Sequence, residues 1–430
     1  MTSNFEHKKS SSHLGRVLIL GKGVTGSAVY DYLIKQPERY EKLDIVDDKS
    51  LDLSCSYDLA IASPGISEFS DFYQGAKSIS REIISEIEFA WRESELKSTW
   101  VAITGTNGKT TTTALVAFIL RQAGKNAIAV GNIGEASISH VDGNEKIYVA
   151  ECSSYQLASC IDFKPEAVAI LNITPDHLSW HKSYENYRKA KFKLLIEARP
   201  NSNCLIYLDD SLANEADIEH ACAKVVTPKT SDWADQVREI APEMNIKGEH
   251  NIKNAICASE ICGHLGCDND EIRTGLLKFA PLPHRIEPCG EIEGIEFYND
   301  SKATNVDATL KALTAFQDKR VVLLLGGKDK GSDLEPLVSA VENSTVRAVI
   351  LYGQAAPRFE KAFQKGTGLS KTTCSDMISA FDQACEIAER GDVVLLSPAC
   401  ASFDEFSNFE ERGDSFKSLV TESMKEKACQ

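Results

Sequence analysis

Val101-Ala-Ile-Thr-Gly-Thr-Asn-Gly-Lys-Thr-Thr-Thr-Thr113 is the stretch that decides the fold. Its apolar start reads as a buried strand. Two glycines follow, Lys109 and Thr110 stand side by side, and the apolar residues of 114–120 continue as a helix. Strand, glycine loop and helix form a setting in which backbone N–H groups and a helix N-terminus hold phosphate. In that setting Gly105, Thr106, Asn107 and Gly108 cradle a nucleotide's phosphates. Lys109 reaches the β- and γ-phosphates, and Thr110, with Thr111 behind it, lies beside Mg²⁺. The loop is a shorter variant of the usual phosphate-loop pattern, with Gly105 nearer the lysine than the first glycine normally stands. A plain strand-to-helix turn with a solvated lysine is the bland alternative. It leaves the order of strand, lysine, hydroxyl run and helix to chance.

Upstream, Arg16-Val-Leu-Ile-Leu20 is a strand that feeds Gly21-Lys-Gly-Val-Thr-Gly26 and then a helix over 27–34. A second strand ends in Asp47-Asp48 and a third in Ser63-Pro64-Gly65. This is a dinucleotide-type fingerprint with an acidic residue some 20 positions on. On its face it predicts NAD, but what it supports more firmly is a nucleotide pyrophosphate at a helix N-terminus. Residues 82–91 read as a helix and 92–98 as a polar linker. The reading is α/β with three domains: a Rossmann-like N-terminal domain over 1–97, a central phosphate-loop-type parallel sheet over 98–282, and a Rossmann-like C-terminal domain over 283–430.

The central domain carries further strands whose ends are polar. One leads to Gly131-Asn-Ile-Gly134, the next to Glu151-Cys-Ser-Ser-Tyr-Gln156, and another to Asn172-Ile-Thr-Pro-Asp-His177. Parallel sheets bind ligands past the carboxyl ends of their strands. Glu151 beside a phosphate loop is therefore a candidate Mg²⁺ ligand, and His177 a second. The helix over 184–196 carries Arg188, Lys189, Lys191 and Lys193, and its residues alone do not single out one lysine. Pro281-Leu-Pro-His-Arg285 is a stiff crossing into the third domain, where strands end in Gly326-Gly-Lys-Asp-Lys-Gly-Ser-Asp333 and Ser397-Pro-Ala-Cys-Ala-Ser-Phe-Asp404.

Composition narrows the class. Net charge is −16, from 47 basic and 63 acidic residues, which argues against a nucleic-acid backbone as partner. Thirteen cysteines without a C-x-x-C pair read as reduced thiols. The polar first thirteen residues lack the apolar core of a signal peptide, and no apolar run is long enough for a bilayer. The expectation is a cytoplasmic protein without membrane contact.

With these motifs in hand the chain resembles the Mur ligases, ATP-dependent amino-acid ligases of bacterial cell-wall synthesis. The likeness rests on Gly105–Thr111, Glu151–Gln156, Asn172–His177, His250-Asn251 with Asn254, Pro283-His-Arg285 and Asn299–Asn305. The short dinucleotide-like first domain, the Gly-Gly-x-Asp-Lys-Gly-x-Asp loop and the run from Leu396 to Phe409 point to the branch that adds D-glutamate to UDP-N-acetylmuramoyl-L-alanine. The resemblance implies an acyl-phosphate intermediate, release of ADP and phosphate, two Mg²⁺ ions and a monomer. It implies catalytic roles for Lys109, His177, Lys191 and Lys302. Thr110 and Glu151 would hold one Mg²⁺, and His177 and a carbamylated Lys191 the other. Asn132 and Asn254 would contact adenine, while Arg285 and Asp300 close over the nucleotide. Thr304, Lys330, Ser402 and Phe409 would form the D-glutamate pocket. Val24, Thr25, Gly26, Asp47, Ser63, Pro64 and Gly65 would bind the UDP-substrate.

Three other readings compete. A folylpolyglutamate-synthase-like ligase shares the phosphate loop but lacks the leading G-x-G-x-x-G domain. An NAD-dependent oxidoreductase leaves the phosphate loop unexplained. A nucleotide switch without chemistry has no need of the lysine-rich helix or of the third domain's polar rim.

Overall fold

The computed structural model describes residues 13–133, 135–214, 218, 221–329, 331–363 and 369–428. Among them sixteen strands form three sheets. The first comprises β1 (Arg16–Leu20), β2 (Lys42–Val46), β3 (Tyr57–Ala62) and β4 (Ser80–Ser85), in the order β2-β1-β3-β4. All three pairings are parallel. In β1, Val17 and Ile19 join one apolar cluster and Leu18 and Leu20 another, so both faces of the sheet are covered. An unbroken apolar run is what a doubly covered parallel strand requires. The helix Val24–Leu33 starts directly after the glycine turn. A Cβ on Gly26 would sit 1.8 Å from the Gly21 carbonyl oxygen, so this close helix–strand approach admits only glycine.

The helix expected over 82–91 is corrected. Residues up to Ser85 belong to β4, and the helix runs Glu86–Glu93. Tertiary pairing decides this: Ile83 and Ile84 lie beside Ala60 and Ile61 of β3, where β-branched side chains fit the pleat. Ser85 ends the strand and also caps the helix, accepting a hydrogen bond from the Glu88 N–H.

The second sheet holds β5 (Thr99–Thr104), β6 (Ala127–Gly131), β7 (Ile147–Glu151), β8 (Ala167–Ile170), β9 (Leu205–Leu208) and β10 (Lys224–Val226), in the order β10-β9-β8-β5-β7-β6. All its pairings are parallel. β5 lies between β7 and β8, and the chain reaches those neighbours by opposite-going crossovers. This creates a crevice at the carboxyl end of β5, where the phosphate loop begins. The sequence reading had not identified β9 and β10.

One apolar cluster runs from Val17 and Ile19 through Phe89 and Trp91 to Trp100, Tyr148 and Phe163. Trp100 stacks on Tyr148 at 4.5 Å and gives its indole N–H to Ser94 Oγ at 3.0 Å. The two sheets thus belong to one compact unit, made of the described residues up to Glu243 together with Lys253–Phe279.

The other unit comprises Met244–Ile252 and the described residues from Ala280 onward. Its sheet holds β11 (Glu287–Ile292), β12 (Ile295–Asn299), β13 (Val321–Gly326), β14 (Val346–Tyr352), β15 (Ser370–Thr373) and β16 (Val393–Ala399), in the order β11-β12-β16-β13-β14-β15. The β11–β12 pair is an antiparallel hairpin absent from the sequence reading. Its two-residue turn, Glu293-Gly294, has φ of +53° and +84°, the positive pair that matches strand twist in a tight hairpin. Apolar clusters cover both faces of this sheet.

Candidate active site

The loop after β5 is braced from β8. Asn172 accepts the Asn107 N–H at 2.9 Å and returns its amide N–H to the Asn107 carbonyl at 3.0 Å. Thr106 Oγ1 bonds to the Thr174 carbonyl at 3.0 Å, receives the Thr174 N–H at 2.9 Å and shares a hydrogen bond with the Tyr187 hydroxyl at 2.8 Å. Gly108 has φ of +86°, and a Cβ there would come within 2.7 Å of Asn254 Oδ1. Only glycine serves at that position. Lys109 opens the helix Lys109–Gln122 and folds its ammonium back to the carbonyls of Gly105 and Thr106, 2.9 Å from each. Thr110 and Thr111 occupy the first turn of the same helix. The loop is thus held open by side chains while its lysine charge lies over it.

Glu151 ends β7 as the register partner of Ile103, two residues before Gly105. It is buried, and its Oε1 accepts from Asn132 Nδ2 at 2.8 Å. Oε2 accepts no hydrogen bond among the described residues. Burying a carboxylate oxygen without a partner is costly, and a cation at that oxygen removes the cost. The donor set therefore suits a hard divalent ion at Glu151, and Thr110 stands in the first turn of the helix that follows the neighbouring strand and its loop.

Lys191 points at the same loop from the helix Tyr184–Ala198. It is 1% exposed and donates to the Gly105 carbonyl at 2.8 Å and to Thr104 Oγ1 at 3.2 Å. Burial, then the charge of Lys109, holds its pKa well below that of an ordinary lysine. The structure thus selects one lysine from a helix where sequence left four cations open. Its neighbours differ in kind: Lys189 pairs with Glu185 at the surface, and Lys193 binds the Ala158 carbonyl. His177 stands in the left-handed region at φ 53°, with its ring 4.9 Å from that of Tyr155 and Nε2 3.7 Å from Asp176.

Two groups here escaped the sequence reading. His181, one helical turn past His177, is buried with Nε2 2.9 Å from Ser154 Oγ. Burial first, then the charges of His177 and Lys191, lowers its pKa to about 4, so the ring is neutral. Tyr187 braces Thr106, as described above. The His-x-x-x-His spacing was a legible signal for the first. Nothing in the sequence marked the second.

At the rim of the first sheet, Val24, Thr25 and Gly26 open a helix, Asp47 follows β2, and Ser63-Pro64-Gly65 follow β3. Topology brings all of them to one edge, the carboxyl ends of β1, β2 and β3. Asp47 takes hydrogen bonds from Ser50 at 2.7 Å and Lys22 at 3.1 Å, which depress its pKa to about 2. Ser63 Oγ is buried without a hydrogen-bond partner among the described residues.

The second unit gathers Asp300, Lys302, Thr304, Ser402 and Phe409. Asp300 is buried and accepts from Ser397 Oγ at 2.8 Å and from the Ile286 N–H at 3.3 Å. Burial raises its pKa to about 7 against the pull of Ser397 and Arg285. The Lys302 ammonium sits 3.7 Å from the centroid of the Phe409 ring, a cation–π contact. The Thr304 N–H bonds to the Lys302 carbonyl at 2.8 Å, and Ser402 is 2% exposed. Lys330 lies outside the described residues.

Against known proteins, residues 103–262 match the Mur ligase middle domain and residues 284–400 the Mur ligase glutamate ligase domain. The chain belongs to the Mur ligase family. The UDP-N-acetylmuramoylalanine–D-glutamate ligase of Caldanaerobacter subterraneus is 41% identical over 84% of this chain and 84% of its own length. A protein of the same name from a Thermoanaerobacter species is 37% identical over 95% of this chain and 98% of its own. Among solved structures, MurF from Acinetobacter baumannii shares the fold with a TM-score of 0.58 at 15% identity, over 87% of this chain and 92% of its own.

Proposed function

We propose that this chain joins D-glutamate to UDP-N-acetylmuramoyl-L-alanine, consuming ATP and releasing ADP and phosphate, as a step in peptidoglycan precursor synthesis. The acceptor follows from the names of relatives aligned over 84% and 95% of the chain. The reaction class is carried by one observation: the buried, unbonded Glu151 oxygen beside the strand that feeds the Lys109 loop.

The chemistry asks mainly for charge and alignment. The substrate carboxylate attacks the γ-phosphorus and ADP leaves. The amine of D-glutamate then attacks the acyl carbon, phosphate leaves, and the nitrogen gives up a proton. Phosphoryl transfer spreads negative charge over oxygens and gains most from preplaced cations. Lys109 supplies one from within the loop, and the backbone N–H groups of 105–110 supply dipoles. Thr110 and Glu151 would hold one Mg²⁺, and His177 with Lys191 a second. Such ions, when bound, would supply positive charge against the phosphates and the substrate carbonyl. Burial favours the neutral amine of Lys191, and a neutral amine adds CO₂ and gives up a proton to form a carbamate, which would make Lys191 an anionic ligand. Asn132 spends its amide on Glu151, so its part is to orient that carboxylate as well as to meet the base. Asn254 lies against Gly108. Arg285 and Asp300 would be nucleotide contacts.

The first sheet's rim would take the UDP moiety, and Thr304, Lys330, Ser402 and Phe409 the amino acid. In this reading the domains are 1–97, 98–282 and 283–430, working as a cytoplasmic monomer. No helix among the described residues is long and apolar enough to cross a membrane.

The test is ADP formation by purified protein with ATP, Mg²⁺ and UDP-N-acetylmuramoyl-L-alanine, offering D-glutamate, L-glutamate, glycine and lysine in turn. Turnover with D-glutamate alone, abolished by Lys109→Ala, is expected. Turnover with another of these amino acids overturns the acceptor. Turnover that survives Lys109→Ala overturns the assigned phosphate loop.

A further inference from the structure

Arg412 is fully buried at the start of the C-terminal helix Phe409–Ala428. Its guanidinium makes four hydrogen bonds, all to uncharged oxygens. Nε donates to Ser301 Oγ at 2.9 Å, and Nη2 to the Ser301 carbonyl at 2.8 Å and the Cys400 carbonyl at 3.1 Å. Nη1 donates to the Ala401 carbonyl at 3.3 Å. Ser301 Oγ passes the contact on, donating to the Phe409 carbonyl at 2.8 Å. One side chain therefore ties the loop after β12, which carries Lys302 and Thr304, to the loop after β16, which carries Ser402, and both to Phe409. Of these, Thr304, Ser402 and Phe409 are assigned above to the amino-acid pocket.

From this geometry we infer that Arg412 is the positioning and specificity residue of the acceptor pocket. It holds the two pocket loops in register and adds its positive charge to the surroundings of a dicarboxylic amino acid. The inference rests on the acceptor reading given above. Carbonyl and hydroxyl oxygens satisfy the N–H donors but leave the net charge in place, and no carboxylate pairs with the guanidinium among the described residues. The carboxylates of Asp300 and Glu405 lie within its electrostatic reach, and an anion that arrives in the adjoining pocket stabilises the buried cation further. Lysine cannot substitute, because a single ammonium does not span four acceptors in a planar fork.

Two variants separate positioning from bulk stability. Ser301→Ala removes the relay while leaving the arginine, and Arg412→Lys keeps the charge but loses the fork. Each is assayed for KM toward D-glutamate, ATP and the UDP-substrate, alongside its melting temperature. The expected result is a rise in KM for D-glutamate of about tenfold, a loss of about 1.4 kcal/mol of binding, with both nucleotide KM values within twofold of the parent. Arg412→Gln, which removes the charge, should in addition narrow the preference for D-glutamate over D-glutamine relative to Arg412→Lys. All three KM values moving together, or a lowered melting temperature with KM for D-glutamate unchanged, overturns the inference. If the arginine variants do not fold, Ser301→Ala decides it by the same KM comparison. A parent protein that turns over no D-glutamate sinks the acceptor reading. A parent that does, with variants of unchanged KM, sinks this inference alone.

Discussion

At the scale of the residue, burial turns common side chains into specialised ones. Glu151, Lys191, His181 and Asp300 are ordinary titratable groups in sequence and become unusual through what surrounds them. Glu151 is the sharpest case, since one of its oxygens has no hydrogen-bond partner among the described residues. Glu151→Gln should weaken apparent Mg²⁺ affinity by at least about tenfold, read from a Mg²⁺ titration of ADP release. Glu86 offers a test of stability. It is 1% exposed, accepts the N–H groups of Ile138 and Ser137, and burial lifts its pKa to about 7. A carboxyl with a raised folded pKa binds more protons folded than unfolded between its ordinary pKa and about 7. Stability from this group therefore falls as pH rises through that window, by up to about 3 kcal/mol. Glu86→Gln, which still offers an acceptor, should flatten that part of the melting-temperature profile. A parent and variant with parallel profiles between pH 4.5 and 7 would remove Glu86 as the cause.

At the scale of the element, period and punctuation carried most of the reading, and it failed where neighbours decide. The strand–loop–helix around Gly105 to Thr110 is legible because apolar run, glycines and hydroxyls are all local signals. Residues 80–85 are not, because Ser-Arg-Glu-Ile-Ile-Ser continues smoothly into a helix and becomes a strand only beside β3. The β11–β12 hairpin was missed because its Glu-Gly turn is a weaker marker than Asn-Gly or Asp-Gly. The shared core gives a prediction at this scale. Trp100 is fully buried between Tyr148 and Phe163. Trp100→Ala should cost about 3–5 kcal/mol in urea unfolding. A loss below 1 kcal/mol would mean that the stack collapses to fill the space.

At the scale of the whole molecule, composition and topology meet. The twelve cysteines in the described residues are all free thiols, seven of them buried. With Cys429 the sequence holds thirteen, so denatured protein never exposed to reductant should titrate thirteen thiols, and any lower number would reveal a disulfide. Sequence by itself determined the α/β class, the order of the motifs, the phosphate loop and the acidic, thiol-bearing character of the chain. Each of these is written in local order or in bulk counts. Only tertiary structure decided which of the helix's three lysines lies at the loop, that one carboxylate oxygen of Glu151 lacks a hydrogen-bond partner among the described residues, that burial lowers the pKa of His181, and that Arg412 binds two loops a hundred residues apart. Those outcomes depend on burial and on partners distant along the chain, and the pull of a neighbour across a sheet leaves no mark in the period of the residues it acts on.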